Sequence, residues 1–230
     1  MPRSIHTRLH VVLSWCCLLT LTYSGVPRIA SAQSGRDDAA LRELVEKFFD
    51  LYQRRELAGL MALWSERSPE LVGSKEEFRQ AFAANKIRLK SLTIRKIDVT
   101  EGKATARAVA EIDAEDVKTG KAAGGFGIIN RTFRLVNEGD GWKVWRYAPS
   151  ERELAAALLS AKTDEEREAI LQAEKELITA ELVQALASRG RLLVIQSAGS
   201  AALDSCALAL SLAERLHDLI GTADALRGSW

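Results

Sequence analysis

Residues 103–113 read KATARAVAEID, and residues 126–147 read FGIINRTFRLVNEGDGWKVWRY. In the first stretch Ala104, Ala106, Ala108, Ala110 and Ile112 fall on one face, an alternation of period two. That is the signature of a strand with one buried side, and a row of alanines there lets a helix approach closely. The second stretch gives two strands, 126–136 and 142–147, joined by NEGDG at 137–141. Asn, Gly and Asp tolerate the positive φ that a tight hairpin demands. Working outward, Glu101-Gly102 supplies the preceding turn. Leu92, Ile94, Ile97 and Val99 supply an earlier strand, whose phase slips near Lys96 as at a β-bulge. The four segments together predict an antiparallel meander.

Helices come first in the chain. Leu41, Leu44, Val45, Phe48, Phe49 and Tyr52 recur at helical spacing and predict an amphipathic helix over 37–55. A short helix over 57–64 and a third over 74–84 follow, the third opened by a Ser74/Glu77 capping box. Helices first and strands later is an α+β pattern, with the helices covering the concave side of a curved sheet. Beyond Pro149, a Ser150/Glu153 box predicts a helix to Leu159, and a Thr163/Glu166 box predicts one long helix to about Ala187. Residues 190–210 then read as helix–turn–helix, with a further helix opening near Thr222.

The first 32 residues hold three arginines and no acid, leaving 29 basic against 31 acidic side chains over the rest. They read as a secretory signal peptide: Arg3 and Arg8, the apolar run of 11–21, then Ala30-Ser31-Ala32 before Gln33. The run falls short of the ~20 apolar residues a membrane span needs, so no stable membrane insertion is expected after cleavage. The expected destination is the periplasm or the medium. A nearly neutral remainder argues against nucleic acid as a partner. After cleavage Cys206 is the one cysteine left, so no intrachain disulfide forms.

Residues 37–148 resemble the nuclear transport factor 2-like superfamily and its SnoaL-like members. The resemblance is carried by Phe48-Phe49-Asp50-Leu51-Tyr52, the Leu60–Trp64 helix, Ser74-Lys75-Glu76-Glu77-Phe78, and the closing hairpin 140–147. It implies a cone, a curved sheet around a long helix with a pocket at the open end. On that reading Phe49, Tyr52, Trp64, Phe133 and Trp145 would line the pocket. Residues 190–230 resemble part of a tetratricopeptide repeat. Gly190 and Leu193 stand where its first helix carries a close-packing Gly and a large residue, and Ala202, Cys206 and Ala209 where its second carries small, large and small, with Leu193 and Cys206 in place of the usual aromatics. The Gly-Asp turn expected there reads Ser197-Ala198-Gly199, a departure from the pattern. The arrangement is similar to exported bacterial proteins in which a short module leads a repeat array. On this view 1–32 is the signal peptide, 37–148 the α+β domain, 150–189 connecting helices and 190–230 the partial repeat.

The residues offer little for catalysis. His6 and His10 leave with the signal peptide, and His217 lies beyond the repeat's second helix, so neither a Cys–His dyad nor a metal cluster is expected. No catalytic residue, metal or cofactor is assigned. The glycines of 118–127 enter a strand rather than open a helix, which excludes a phosphate-binding loop. An isomerase-like site would need a carboxylate inside the cone, drawn from Asp50 or Asp113 beside Tyr52 or Tyr147, and alternation turns Asp113 outward. Arg131, Arg134 and Arg146 are expected on a solvated sheet face.

The expected function is therefore a non-enzymatic interaction module. A protein partner would dock through the helical repeat, and a small apolar ligand in the cone. A SnoaL-like isomerase or hydrolase is the alternative. A second alternative is the front fragment of a longer repeat protein, in which Leu208, Leu212, Leu219 and Leu226 would be left uncovered, so that the isolated chain self-associates or frays after about Leu186.

Overall fold

The computed structural model describes residues 28–196, 198–217, 221–222 and 225. The expected signal peptide lies outside the described residues up to residue 27. Three helices lead: α1 (Arg28–Arg54), α2 (Leu57–Ala62) and α3 (Leu71–Ala84). Four strands follow: β1 (Asn85–Thr100), β2 (Lys103–Asp116), β3 (Gly127–Asn137) and β4 (Trp142–Pro149). They form one antiparallel sheet in sequence order.

The alternation of β2 does what its sequence predicts. Ala104, Ala106, Ala108, Ala110 and Ile112 are all buried, in one cluster with Leu41, Val45, Phe48 and Phe49 of α1. Alanine keeps the floor of the sheet low, so α1 lies close against it. β1 carries two bulges, at Leu89/Ser91 and Ile94/Lys96, and β4 one, opposite Arg134/Leu135. Each adds a residue on one strand only and bends the sheet around the helix. The Glu101–Gly102 turn has positive φ at both residues, as does the β3–β4 turn at Gly139 and Gly141. Residues 63–65 extend β4 through a short parallel bridge, with Ser65 N–H donating to the Val144 carbonyl at 2.9 Å.

Behind Pro149 the chain folds back over the convex side as α4 (Ser150–Ser160), α5 (Asp164–Ala173), a 3₁₀ turn (Lys175–Leu177), α6 (Ala180–Ile195) and α7 (Gly199–Arg215). These pack around a second apolar cluster centred on Leu158, Leu182, Leu186 and Leu212. The single helix expected from Thr163 to Ala187 is in fact two. The break falls at Glu174, whose carboxylate turns back to Arg107 on β2 and holds the 3₁₀ turn against the sheet. α6 crosses the expected boundary at residue 190 without interruption.

Two expected capping boxes are absent. α3 begins at Leu71, upstream of Ser74, and Glu70 at its N-cap makes no side-chain cap. Ser150 bonds Thr132 across the sheet at 2.8 Å instead of capping α4. At Thr163 the expected cap forms, its hydroxyl accepting from Glu166 N–H at 3.1 Å. Leu212, expected on the surface, is buried, and Leu208 is half-buried. Leu219 and Leu226 lie outside the described residues.

Candidate functional site

The concave side of the sheet is filled by rings. Phe48 of α1 meets Phe49, Phe78, Phe133 and Tyr147 with centroids 4.8–5.9 Å apart, mostly edge to face. Tyr52 closes the row against Phe78 and Phe82. Of the residues expected to line a pocket, Phe49, Trp64 and Phe133 are fully buried core, and Tyr52 is partly buried against them. Trp145 is not part of this interior. It is the extra residue of the β4 bulge, since Leu135 already pairs with Val144 and Arg134 with Arg146.

Among the described residues the one buried carboxylate is Glu151 of α4, which is bonded to Asn130. Asp113 lies outside, paired with Arg88 and Lys90 at 2.9 Å each, and these cations hold its carboxyl below the usual range, Lys90 most strongly. Asp50 is turned to Gln53 and Arg54 on the helix edge. Burial raises the phenols of Tyr52 and Tyr147, so both stay neutral. Arg131 breaks the expected row of solvated arginines. It pairs across the sheet with Ala108, on the inward face, donates to Tyr147 Oη at 3.2 Å and lies 5.6 Å from its ring centroid.

Arg134 and Arg146 do face the convex side, and their side chains stay 55% and 39% exposed there. Both converge on Glu153 of α4, at 2.5 and 2.9 Å. Asn130 donates to Glu151 at 2.8 Å, and that carboxylate is 6% exposed. Sequence reading missed this layer because Asn130 and Arg134 meet their partners 21 and 19 residues on, across a fold-back that no local pattern signals.

Where α4, α6 and α7 stand off the sheet, an open cleft of about 1360 Å³ remains. One wall is the start of β3, contributing Ile129 and Arg131 from its inner face and Ile128 and Asn130 from its outer face. The other wall includes Ala156, Ala185, Arg189 and Leu192 of the helices. The residues expected to pack a helical repeat lie beside it. Gly190 is buried against α7, where an added Cβ would sit 2.6 Å from Cys206 Sγ and 3.4 Å from the Ala202 carbonyl. Ala202, Cys206 and Ala209 are buried, and Leu193 is partly exposed on the cleft. Burial raises the Cys206 thiol, so it is an unreactive packing group. Among the described residues no group of acidic, His and Cys side chains could hold a metal, and no helix is long and apolar enough to cross a membrane.

The chain is similar to several solved structures over about half its length. A ketosteroid isomerase-like protein from Erwinia carotovora atroseptica is 15% identical, with 47% of this chain and 91% of that one covered and a TM-score of 0.42. A member of the nuclear transport factor 2-like family from Streptomyces avermitilis is also 15% identical, over 49% and 94%, at 0.42. A nuclear transport factor 2-like protein with a cystatin-like fold from Novosphingobium aromaticivorans is 17% identical, over 51% and 83%, at 0.38. No protein family model and no curated protein matches the chain.

Proposed function

We propose that this protein is a non-enzymatic binding module, in which a nuclear transport factor 2-like cone serves as a packed support and recognition belongs to the cleft between β3 and the C-terminal helices. The observation that carries this reading is the ring cluster itself. An acid–base enzyme of the isomerase type needs room for a substrate beside a carboxylate in a dry site. Here that space is occupied by Phe48, Phe78, Phe133 and Tyr147, and the carboxylates Asp50 and Asp113 are ion-paired outside it. The cleft has the opposite character: it is open and lined by apolar and charged groups together.

The α6–α7 pair supports the tetratricopeptide-like part of the reading, because a glycine-mediated close approach of two antiparallel helices is how such a repeat packs. Exposed Leu192, Ile195 and Leu203 on this pair leave apolar area for a protein neighbour. Export remains part of the proposal, on the sequence of residues 1–32.

The test is a chemical-shift map of the full chain against a set of small phenols and apolar carboxylates, and separately against short peptides. Shifts along 125–131, α4 and α6 with peptides, and none at Phe48, Tyr52 or Tyr147 with the small molecules, are expected. Saturable shifts at those ring residues would return the cone to the role of ligand site.

A further inference from the structure

The two apolar clusters are separate. One, around Phe48 and Phe133, belongs to α1–α3 and the inner face of the sheet; the other, around Leu158 and Leu186, belongs to α4–α7. Between them runs a polar seam, which the chain crosses once among the described residues, at Pro149–Ser150. Every ion pair across the seam among those residues has its cation on the sheet and its carboxylate on the helices. Arg134 and Arg146 meet Glu153, and Arg107 and Lys96 meet Glu174. Lys96 is shared with Asp98 of its own strand, at 3.1 Å.

The attachments fall at two places. On β3 and β4 the first turn of α4 is tied down three times, by Ser150 to Thr132, Glu151 to Asn130 and Glu153 to the two arginines. On β1 and β2 the tie is Glu174. Among the described residues 161–217 no other side chain bonds or pairs with the sheet. Glu174 is also where the helix breaks, and its carbonyl accepts from Leu177 N–H at 2.9 Å in the 3₁₀ turn. Packing does not reinforce this tie. A cavity of about 220 Å³ separates Thr105, Arg107 and Arg134 of the sheet from Leu154, Ala157 and Ile170 of the helices, and the large cleft opens beside it. A paired charge exchanges water for its partner and nets little, so a polar seam over voids is a weaker joint than either core. Arg107 and Glu174 keep 16% and 20% exposure, so water reaches both as they part.

We propose that Glu174 is a latch. While its carboxylate holds Arg107 and Lys96, the helical layer lies against the sheet; when it lets go, the layer swings as one body about the first turn of α4. The hinge side keeps its three ties, and the second apolar cluster travels whole with the helices. The cleft lies between the same two bodies, so the latch sets its width. The device goes beyond the binding-module reading and does not depend on it.

The test is a charge swap in the full chain. E174K sets a like charge against Arg107 and Lys96, and R107E/E174K restores an opposite pair. Solution scattering at constant molecular mass reads the shape, and amide hydrogen exchange reads the elements. E174K is expected to enlarge the radius of gyration and to speed exchange at Leu177 and Ile178 at least about tenfold, while β2 and α6 stay protected. The double variant is expected to bring both readings back toward those of the unaltered chain. E174Q, which removes the charge and keeps the shape, is expected to move them in the same direction as E174K by less, and it decides the matter if E174K does not fold. An unchanged radius in the single variants would overturn the latch. So would exchange that rises in α6 together with the turn, because the layer would then melt rather than swing. Failure of R107E/E174K to recover, with unaltered circular dichroism, would also overturn it, since Glu174 would then act on its own turn. The measurement needs no ligand, so its outcome is independent of what the cleft or the rings bind.

Discussion

At Gly190 one carbon atom decides how near α6 comes to α7. An alanine there gains roughly 1 kcal/mol of helix propensity but drives its Cβ to 2.6 Å from Cys206 Sγ. Overpacking of this kind costs about 1–3 kcal/mol, so G190A should lower stability by roughly 1 kcal/mol net. In a C206A background the loss should shrink or change sign, and a thermal-denaturation double-mutant cycle reads the coupling. At the centre of the cone, Phe48 touches four rings, and F48A should cost about 3–5 kcal/mol by equilibrium unfolding. Both positions were legible in the sequence, because small-residue spacing on a helix and apolar spacing of 3.6 are local signals. Trp145 was not, since a bulge on β4 shifts the alternation by one and no residue type announces it.

Among the elements, α4 changes the character of the sheet. The outward arginines of β3 and β4 are solvated, as alternation predicts, but Glu153 collects Arg134 and Arg146, and Glu174 collects Arg107 of β2. E153Q should keep the fold but loosen α4, lowering stability by about 1 kcal/mol because both arginines are partly screened by water. Amide exchange in α4 should rise while that in β2 stays slow. Exchange rising equally everywhere would mean that Glu153 is not a local clasp. The same contacts explain why the strands were readable and the α4 cap was not, although the Thr163 cap of α5 forms as expected. A period of two holds wherever no bulge interrupts the strand, but Ser150 is drawn to Thr132 and Glu153 to the arginines, so a capping box written in the sequence goes unused. The break at Glu174 was hidden likewise, because the charges around it fit an uninterrupted helix face.

For the molecule as a whole, charge and packing respond to opposite ends of the pH scale. Hydrogen bonds from Arg79 and Gln80 bring Glu76 down to about 2, and Asp113, Asp116 and Glu138 are also lowered, by Lys90, Thr119 and Arg67 respectively. Groups lowered in the folded state stabilise it above their ordinary carboxylate range and lose that contribution as pH falls through the folded values. Melting temperature should therefore drop between pH 4.5 and about 2, and high salt should flatten the drop, since Glu76 is exposed and the other three are only half-buried. The tyrosines act at the other end. Raised phenols stabilise the fold below their ordinary pKa near 10 and cease to do so as pH rises beyond it. That makes alkaline titration, followed by phenolate absorbance and circular dichroism together, the most direct test of the claim that the cone is a packed support. The prediction is that Tyr52 and Tyr147 ionise only in one cooperative step, coincident with loss of the fold. Smooth, reversible ionisation of both near pH 10 in a folded protein would show a cone open to solvent, and the account would be wrong.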